Sequence, residues 1–213
     1  MHPTLLSTYT AILEGNQTEA RASVQAALEA GLAPEIVLNE GMIAAMSEVG
    51  RRFEEGEYYV PEMLISARAM QASMSLLKPH LRQQGIPSAG KIVIGTVQGD
   101  LHDIGKNLVS MMLEGAGFEI IDLGSDVSPG QFVDGVREHD AQVVALSALL
   151  TTTMMNIQAT ITTLQEAGVR DHVKVIIGGA PVTEDYARKV GADGFAIDAS
   201  RAVAVVKNLV GAG

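Results

Sequence analysis

"KIVIGTVQGDLHDIGKNLVSMMLEGAGFEIIDLG" (residues 91–124) decides the fold. Its opening, Lys91–Thr96, is a short run rich in β-branched residues, and these favour strands. A loop follows, then helical apolar spacing from Ile104 to Gly117, then a second short run at 118–124. Strand, loop, helix, strand is one unit of a parallel sheet. The rhythm continues downstream. "SPGQFVDGVREHD" (128–140) reads as helix and "AQVVALSALL" (141–150) as strand. "TTMMNIQATITTLQEAG" (152–168) is a helix and "HVKVIIGGAP" (172–181) a fourth strand. "VTEDYARKVG" (182–191), "ADGFAI" (192–197) and "ASRAVAVVKNLV" (199–210) complete five strand–helix alternations. This predicts an open α/β parallel sheet with helices on both faces. Ligands of such sheets bind beyond the carboxyl ends of the strands. Those ends carry Thr96–His102, Leu123–Ser125, Ser147–Thr153, Gly178–Pro181 and Ile197–Ser200.

Upstream, residues 1–84 read as a helical bundle. Asn16 caps "TEARASVQAALEAG", which ends on Gly31, and Pro34 and Pro61 each open a helix. Leu38, Met42, Met46, Val49 and Phe53 fall at helical spacing. Val60, Met63, Ala67, Met70, Met74, Leu77 and Leu81 alternate steps of three and four, one continuous apolar stripe. Seam spacing accounts for the methionines as bundle core. Four helices with short connections predict a four-helix bundle. "RQQGIPSAG" (82–90) has no periodicity and reads as a linker, with 85–90 dividing a bundle at 1–84 from a sheet domain at 91–213.

Composition narrows the partners. The chain has 213 residues, 47% of them hydrophobic, and carries no cysteine, which excludes disulfides and thiolate metal sites. No apolar run is long enough to span a membrane, and no secretory signal opens the chain, so a cytoplasmic location is expected. A formal charge of −10 repels nucleic-acid phosphates, so neither nucleic acid nor membrane is an expected partner.

The loop after the first strand places Asp100, His102 and Gly105 close together. A catalytic base, a metal ligand or a chance turn each remain open. Asp100 and Asp103 would repel a phosphate, and no Gly-rich phosphate fingerprint is present. A phospho-receiver needs an aspartate where the chain has Leu146-Ser147-Ala148. A zinc site would need further ligands, whereas His139 and His172 precede strands at the opposite end of the sheet. A single histidine oriented by a carboxylate remains. One axial ligand suffices for a metal that already carries an equatorial macrocycle.

Here the chain resembles the cobalamin-binding module of methionine-synthase type. Asp100-Leu101-His102-Asp103-Ile104-Gly105 is similar to its D-x-H-x-x-G signature, Ser147-Ala148-Leu149 to its S-x-L motif, and Gly178-Gly179 to its glycine pair. The bundle with "EEGEYYVPEMLISARAM" (54–70) resembles the helical cap that precedes such domains. The resemblance covers nearly the whole chain and implies a flavodoxin-like five-stranded sheet domain behind a four-helix corrin cap. It implies a corrinoid bound base-off, with His102 as lower axial cobalt ligand, Asp100 on the second imidazole nitrogen, and Thr153 continuing the relay where relatives often have serine. Gly99, Leu101, Asp103 and Gly105 would shape the loop beneath the corrin. Ser147, Leu149 and Thr151 would meet the nucleotide tail, with Gly178 and Gly179 leaving room for it and Ala199 a further contact. Tyr59 or a neighbour would shield the upper face.

The resemblance further implies a methyl carrier, a non-catalytic subunit of a corrinoid-dependent methyltransferase system in one-carbon metabolism. Cobalt(I) would accept a methyl group through a substrate-specific methyltransferase. A second methyltransferase would pass it to tetrahydrofolate or a thiol coenzyme, and a reductive activase would rescue oxidised cobalt. Candidate donors are methoxylated aromatics, methylamines, methanol and betaines. The competing reading is a cobalamin-dependent sensor, which usually adds an output domain. A mutase cobalamin domain is a third, against which the helical cap argues.

Overall fold

The computed structural model describes residues 2–211, which divide into two compact units, one up to residue 88 together with 114–117, the other 89–113 together with the residues from 118 on. The first unit holds α1 (Pro3–Leu13), α2 (Gln17–Glu29), α3 (Pro34–Ile36), a π-helical stretch (Val37–Ile43), α4 (Ala44–Glu54) and α5 (Val60–Gln83). Asn16 caps α2 by accepting from Glu19 N at 3.1 Å. The chain passes from α3 through the π-helical stretch into α4 without a break, so four helical rods result, as expected. Pro34 stands at the start of α3 and Pro61 in the first turn of α5, where a missing N–H costs nothing.

One detail departs from the periodicity. Leu38 was expected on the buried stripe, but Val37, Gly41 and Met42 are the buried residues. The cause is the wider winding: Ala44 N donates to Asn39 O, a five-residue step. That step turns Val37 inward and leaves Leu38 half-buried. Beyond it, Met46 and Val49 are buried as the spacing predicts. In α5, Met63, Ala67, Met70, Leu77 and Leu81 are buried, which supports the core reading for Met63 and Met70, while Met74 is half-buried and Val60 exposed.

The second unit alternates β1 (Lys91–Thr96), α6 (Ile104–Gly115), β2 (Glu119–Asp122), α7 (Pro129–His139), β3 (Val143–Ser147), α8 (Met155–Glu166), β4 (Lys174–Gly178), α9 (Glu184–Val190), β5 (Gly194–Ala196) and α10 (Ala199–Val210). All pairings are parallel, in the order β2-β1-β3-β4-β5. This is the flavodoxin-like order. The central strands are buried on both faces, which explains their unbroken Val/Ile runs. Gly95 is required by the packing: a Cβ there would stand 2.8 Å from Cζ of Phe132, the fully buried ring that α7 lays on the sheet.

The strand order positions the site. β1 and β3 are neighbours, but their connections leave toward different edges, which opens a crevice at their carboxyl ends. Register pairs Thr96 with Ser147. The two loops that follow therefore begin side by side, although they are far apart in sequence.

Candidate functional site

Three loops build the site. Beyond β1 the chain turns at once: Asp100 N donates to Val97 O at 3.1 Å, and Gly99 adopts φ +80°, a left-handed conformation that glycine takes at no steric cost. Asp100 is thereby folded under the loop and is fully buried. Its Oδ1 accepts from His102 N at 3.1 Å and faces His102 Nδ1 at 2.7 Å. Its Oδ2 accepts from Thr153 Oγ1 at 2.7 Å, Leu149 N at 2.8 Å and Leu150 N at 3.2 Å. Burial alone would push this carboxyl up. The bonds from Thr153, Leu149 and His102 outweigh it and hold the group well below the usual carboxylate range.

An ionised Asp100 fixes the imidazole tautomer. A carboxylate accepts only, so Nδ1 carries a proton and Nε2 is the ring nitrogen left for a ligand. Nε2 has no partner among the described residues, and the His102 side chain is 52% exposed. The result is an imidazole oriented through one nitrogen and open at the other, the arrangement in which carboxylates orient metal-binding histidines. Thr96 Oγ1 donates to His102 O at 3.0 Å and steadies the residue from below. Among the described residues no three His, Asp or Glu groups gather as a metal cage.

The remaining expected residues distribute as follows. Leu101 and Asp103 lie on the same loop, and Gly105 is the second residue of α6, where a Cβ would meet nothing within 4 Å. The fold itself therefore does not demand glycine at Gly105. Ser147 ends β3, its hydroxyl without a hydrogen-bond partner among the described residues, and Leu149 and Thr151 are exposed just beyond it. Gly178 ends β4. Gly179 is a different case: its φ is +121°, and a Cβ would stand 1.9 Å from Ala148 O, so chain packing alone accounts for it. Ala199 is buried at the start of α10. Tyr59 belongs to the helical unit, 66% exposed at the start of α5, where its N–H donates to Glu62 at 3.0 Å.

Three residues escaped the sequence reading. Lys106 is buried, with Nζ on Asp122 and on Asn107 Oδ1 at 2.7 Å, tying the first turn of α6 to the end of β2. Asn156 donates to Gln98 O at 2.6 Å. Asp126 accepts from Gly99 N at 2.7 Å. A lysine inside "DIGKN" carries no local sign that it will be buried, and only the strand order brings Asp126 to the loop.

Large apolar side chains stand exposed at these same strand ends: Leu101, Ile104, Leu149, Leu150, Met155 and Ile197, with Ile104 82% and Ile197 78% exposed. A soluble surface does not normally leave so many together unless a ligand or partner covers them. A single aimed imidazole, an unpartnered hydroxyl, an open space at Gly105 and an apolar rim fit a large flat macrocycle with an axial position to fill.

Comparison with known proteins agrees. The B12 binding domain family matches residues 90–207, and a second B12 binding domain family matches residues 7–78. The trimethylamine corrinoid protein of Methanosarcina barkeri is 45% identical over 199 residues, 92% of each chain. Dimethylamine corrinoid protein 1 of Methanosarcina acetivorans is 46% identical over 181 residues, 84% of each chain. Among solved structures, the methanol:cobalamin methyltransferase complex MtaBC from Methanosarcina barkeri matches with a TM-score of 0.87 and 27% identity, over 100% of this chain and 81% of that one.

Proposed function

The chain belongs to the B12-binding-domain family of corrinoid proteins, and from that premise we propose that it is the methyl carrier of a methylamine-type methyltransferase system. The observation that carries the reading is the Asp100–His102 pair, buried on one side and offering a bare Nε2 on the other. A bound corrinoid supplies a cobalt centre that can take up a methyl group and release it. His102 Nε2 would hold the cobalt, and the loops at the strand ends of the sheet unit would receive the rest of the cofactor. Asp100 keeps the Nδ1 proton in place and, with Thr153 and the Leu149 and Leu150 amides, prevents the ring from turning. Ser147 and Thr151 meet the nucleotide tail, and Leu101, Ile104, Met155 and Ile197 exclude water beneath the macrocycle.

The donor is a methylated amine. Relatives acting with trimethylamine and with dimethylamine stand at nearly equal identity, so identity alone does not choose between the two. One methyltransferase loads the carrier, as the methanol system's complex illustrates for a related chain. A second methyltransferase unloads it to tetrahydrofolate or a thiol coenzyme, and a reductive activase restores oxidised cofactor.

The test is loading with hydroxocobalamin followed by visible and electron paramagnetic resonance spectra of the cobalt(II) form. Protein grown on histidine labelled with the heavy nitrogen isotope should change the axial splitting from three lines to two. His102→Ala should lose that response while remaining folded. A protein that stays colourless, or a variant with unchanged axial splitting, rules the reading out.

A further inference from the structure

Asp126 is one of two non-glycine residues at positive φ among the described residues, at +55°. The other, Asp140, ends helix α7, where a left-handed residue is ordinary. Asp126 has no such excuse. It sits in the loop between β2 and α7, where a left-handed aspartate is disfavoured against an extended one. Its neighbours run beside the first turn after β1: Thr96 N donates to Gly124 O at 2.9 Å, and Val127 N to Thr96 O at 3.0 Å. The left-handed backbone lets Asp126 grip that turn twice. Its N–H donates to Asp100 O at 2.9 Å, and its Oδ1 accepts from Gly99 N at 2.7 Å.

Those two atoms bracket the Cα of Asp100. Gly99 N lies before it and Asp100 O after it, so both are fixed from the β2 side. From the β3 side, Thr153 and the Leu149 and Leu150 amides fix the carboxylate itself. Asp100 is held between two loops, and only one of them contains the residues expected from sequence. The direction of the Asp100 carboxylate sets the His102 ring, because Oδ1 faces Nδ1 at 2.7 Å.

We propose that Asp126 is a positioning residue for the cobalt ligand: by gripping Gly99 N and Asp100 O it sets the aim of His102. This rests on the reading of His102 as axial ligand. Asp126 touches neither the imidazole nor the macrocycle's apolar rim and acts only through Asp100.

Two substitutions separate its roles. Asp126→Asn keeps an Oδ1 acceptor and a residue type that tolerates the left-handed region. Asp126→Gly keeps the backbone conformation without strain and removes only the side-chain acceptor. Full-length protein carrying labelled histidine is loaded with cobalamin and reduced to cobalt(II), and the ratio of histidine-ligated to unligated cofactor is read from the axial splitting. The expected result is a ratio about fivefold lower in Asp126→Gly, the change set by one ordinary hydrogen bond, and a wild-type ratio in Asp126→Asn. Thermal unfolding of the apoproteins is measured alongside. A wild-type ratio in Asp126→Gly overturns the proposal, whether or not the apoprotein melts earlier. So does a ratio in Asp126→Asn as low as in Asp126→Gly. Absence of histidine-derived splitting in the wild type would instead defeat the axial-ligand reading beneath it.

Discussion

Asp100 accepts hydrogen bonds from both its own loop and the loop after β3, so its chemistry is a matter of neighbours more than of identity. The Asp-x-His spacing was legible because both residues sit on one turn. The partnership with Thr153 was legible only through resemblance, since 53 residues separate them. Asp126 and Lys106 were not legible at all, because what they hold is set by tertiary approach. Glycines divide in the same way. Gly105 is free of any demand from the chain, whereas Gly179 is fixed by Ala148 O. Gly179→Ala should therefore destabilise the protein by about 3 kcal/mol in chemical denaturation, because backbone must move and a positive φ must be strained. Ser73 offers the opposite case. Its hydroxyl is fully buried without a partner, so Ser73→Ala should stabilise by about 1 kcal/mol.

Among the elements, helices and strands were predicted largely where they form, because helical apolar spacing and short unbroken β-branched runs leave a plain mark. The π-helical stretch leaves none in the spacing, and only the burial of Val37 in place of Leu38 betrays the wider winding. The turn from α4 to α5 was likewise invisible as an ordered feature. Arg52 stacks over Tyr58 with 5.2 Å to the ring centre, and its carbonyl accepts from Glu57 N and Tyr58 N at 2.8 and 3.0 Å. The Tyr58 hydroxyl donates to Leu13 O at 3.2 Å, joining the turn to the end of α1. Glu48 holds Arg52 in position. Hydrogen bonds from Arg51 and Arg52 lower the pKa of Glu48 from 4.5 to about 2. A depressed carboxyl stabilises the fold above its ordinary range and loses that effect as pH falls through its folded value. Glu48→Gln should therefore melt earlier than wild type at neutral pH. The gap should close between pH 4.5 and about 2 in thermal scans at low salt. The acidic residues at the end of α4 are engaged within the chain: Glu55 pairs with Arg51, Glu57 lies 4.0 Å from Arg52, and Glu54 also has a partner.

At the scale of the molecule, the change of rhythm near Lys91 marks where helices give way to alternating strands and helices, and buried apolar residues occur on both sides of it. The segment between α5 and β1 has no regular structure, and Gln83, Gln84, Gly85, Pro87, Ser88 and Ala89 are exposed. A protease of broad specificity should cut there first, leaving two resistant fragments on a denaturing gel; early cleavage inside α6 or α8 would contradict this division. Parallel topology has one further effect. His102 follows β1, while the groups that immobilise its carboxylate partner follow β3, and nothing joins them until the Thr96–Ser147 register has closed. No fragment shorter than that pairing contains a ready-made cradle. A nascent chain therefore has no finished cradle before β3 has emerged and paired with β1.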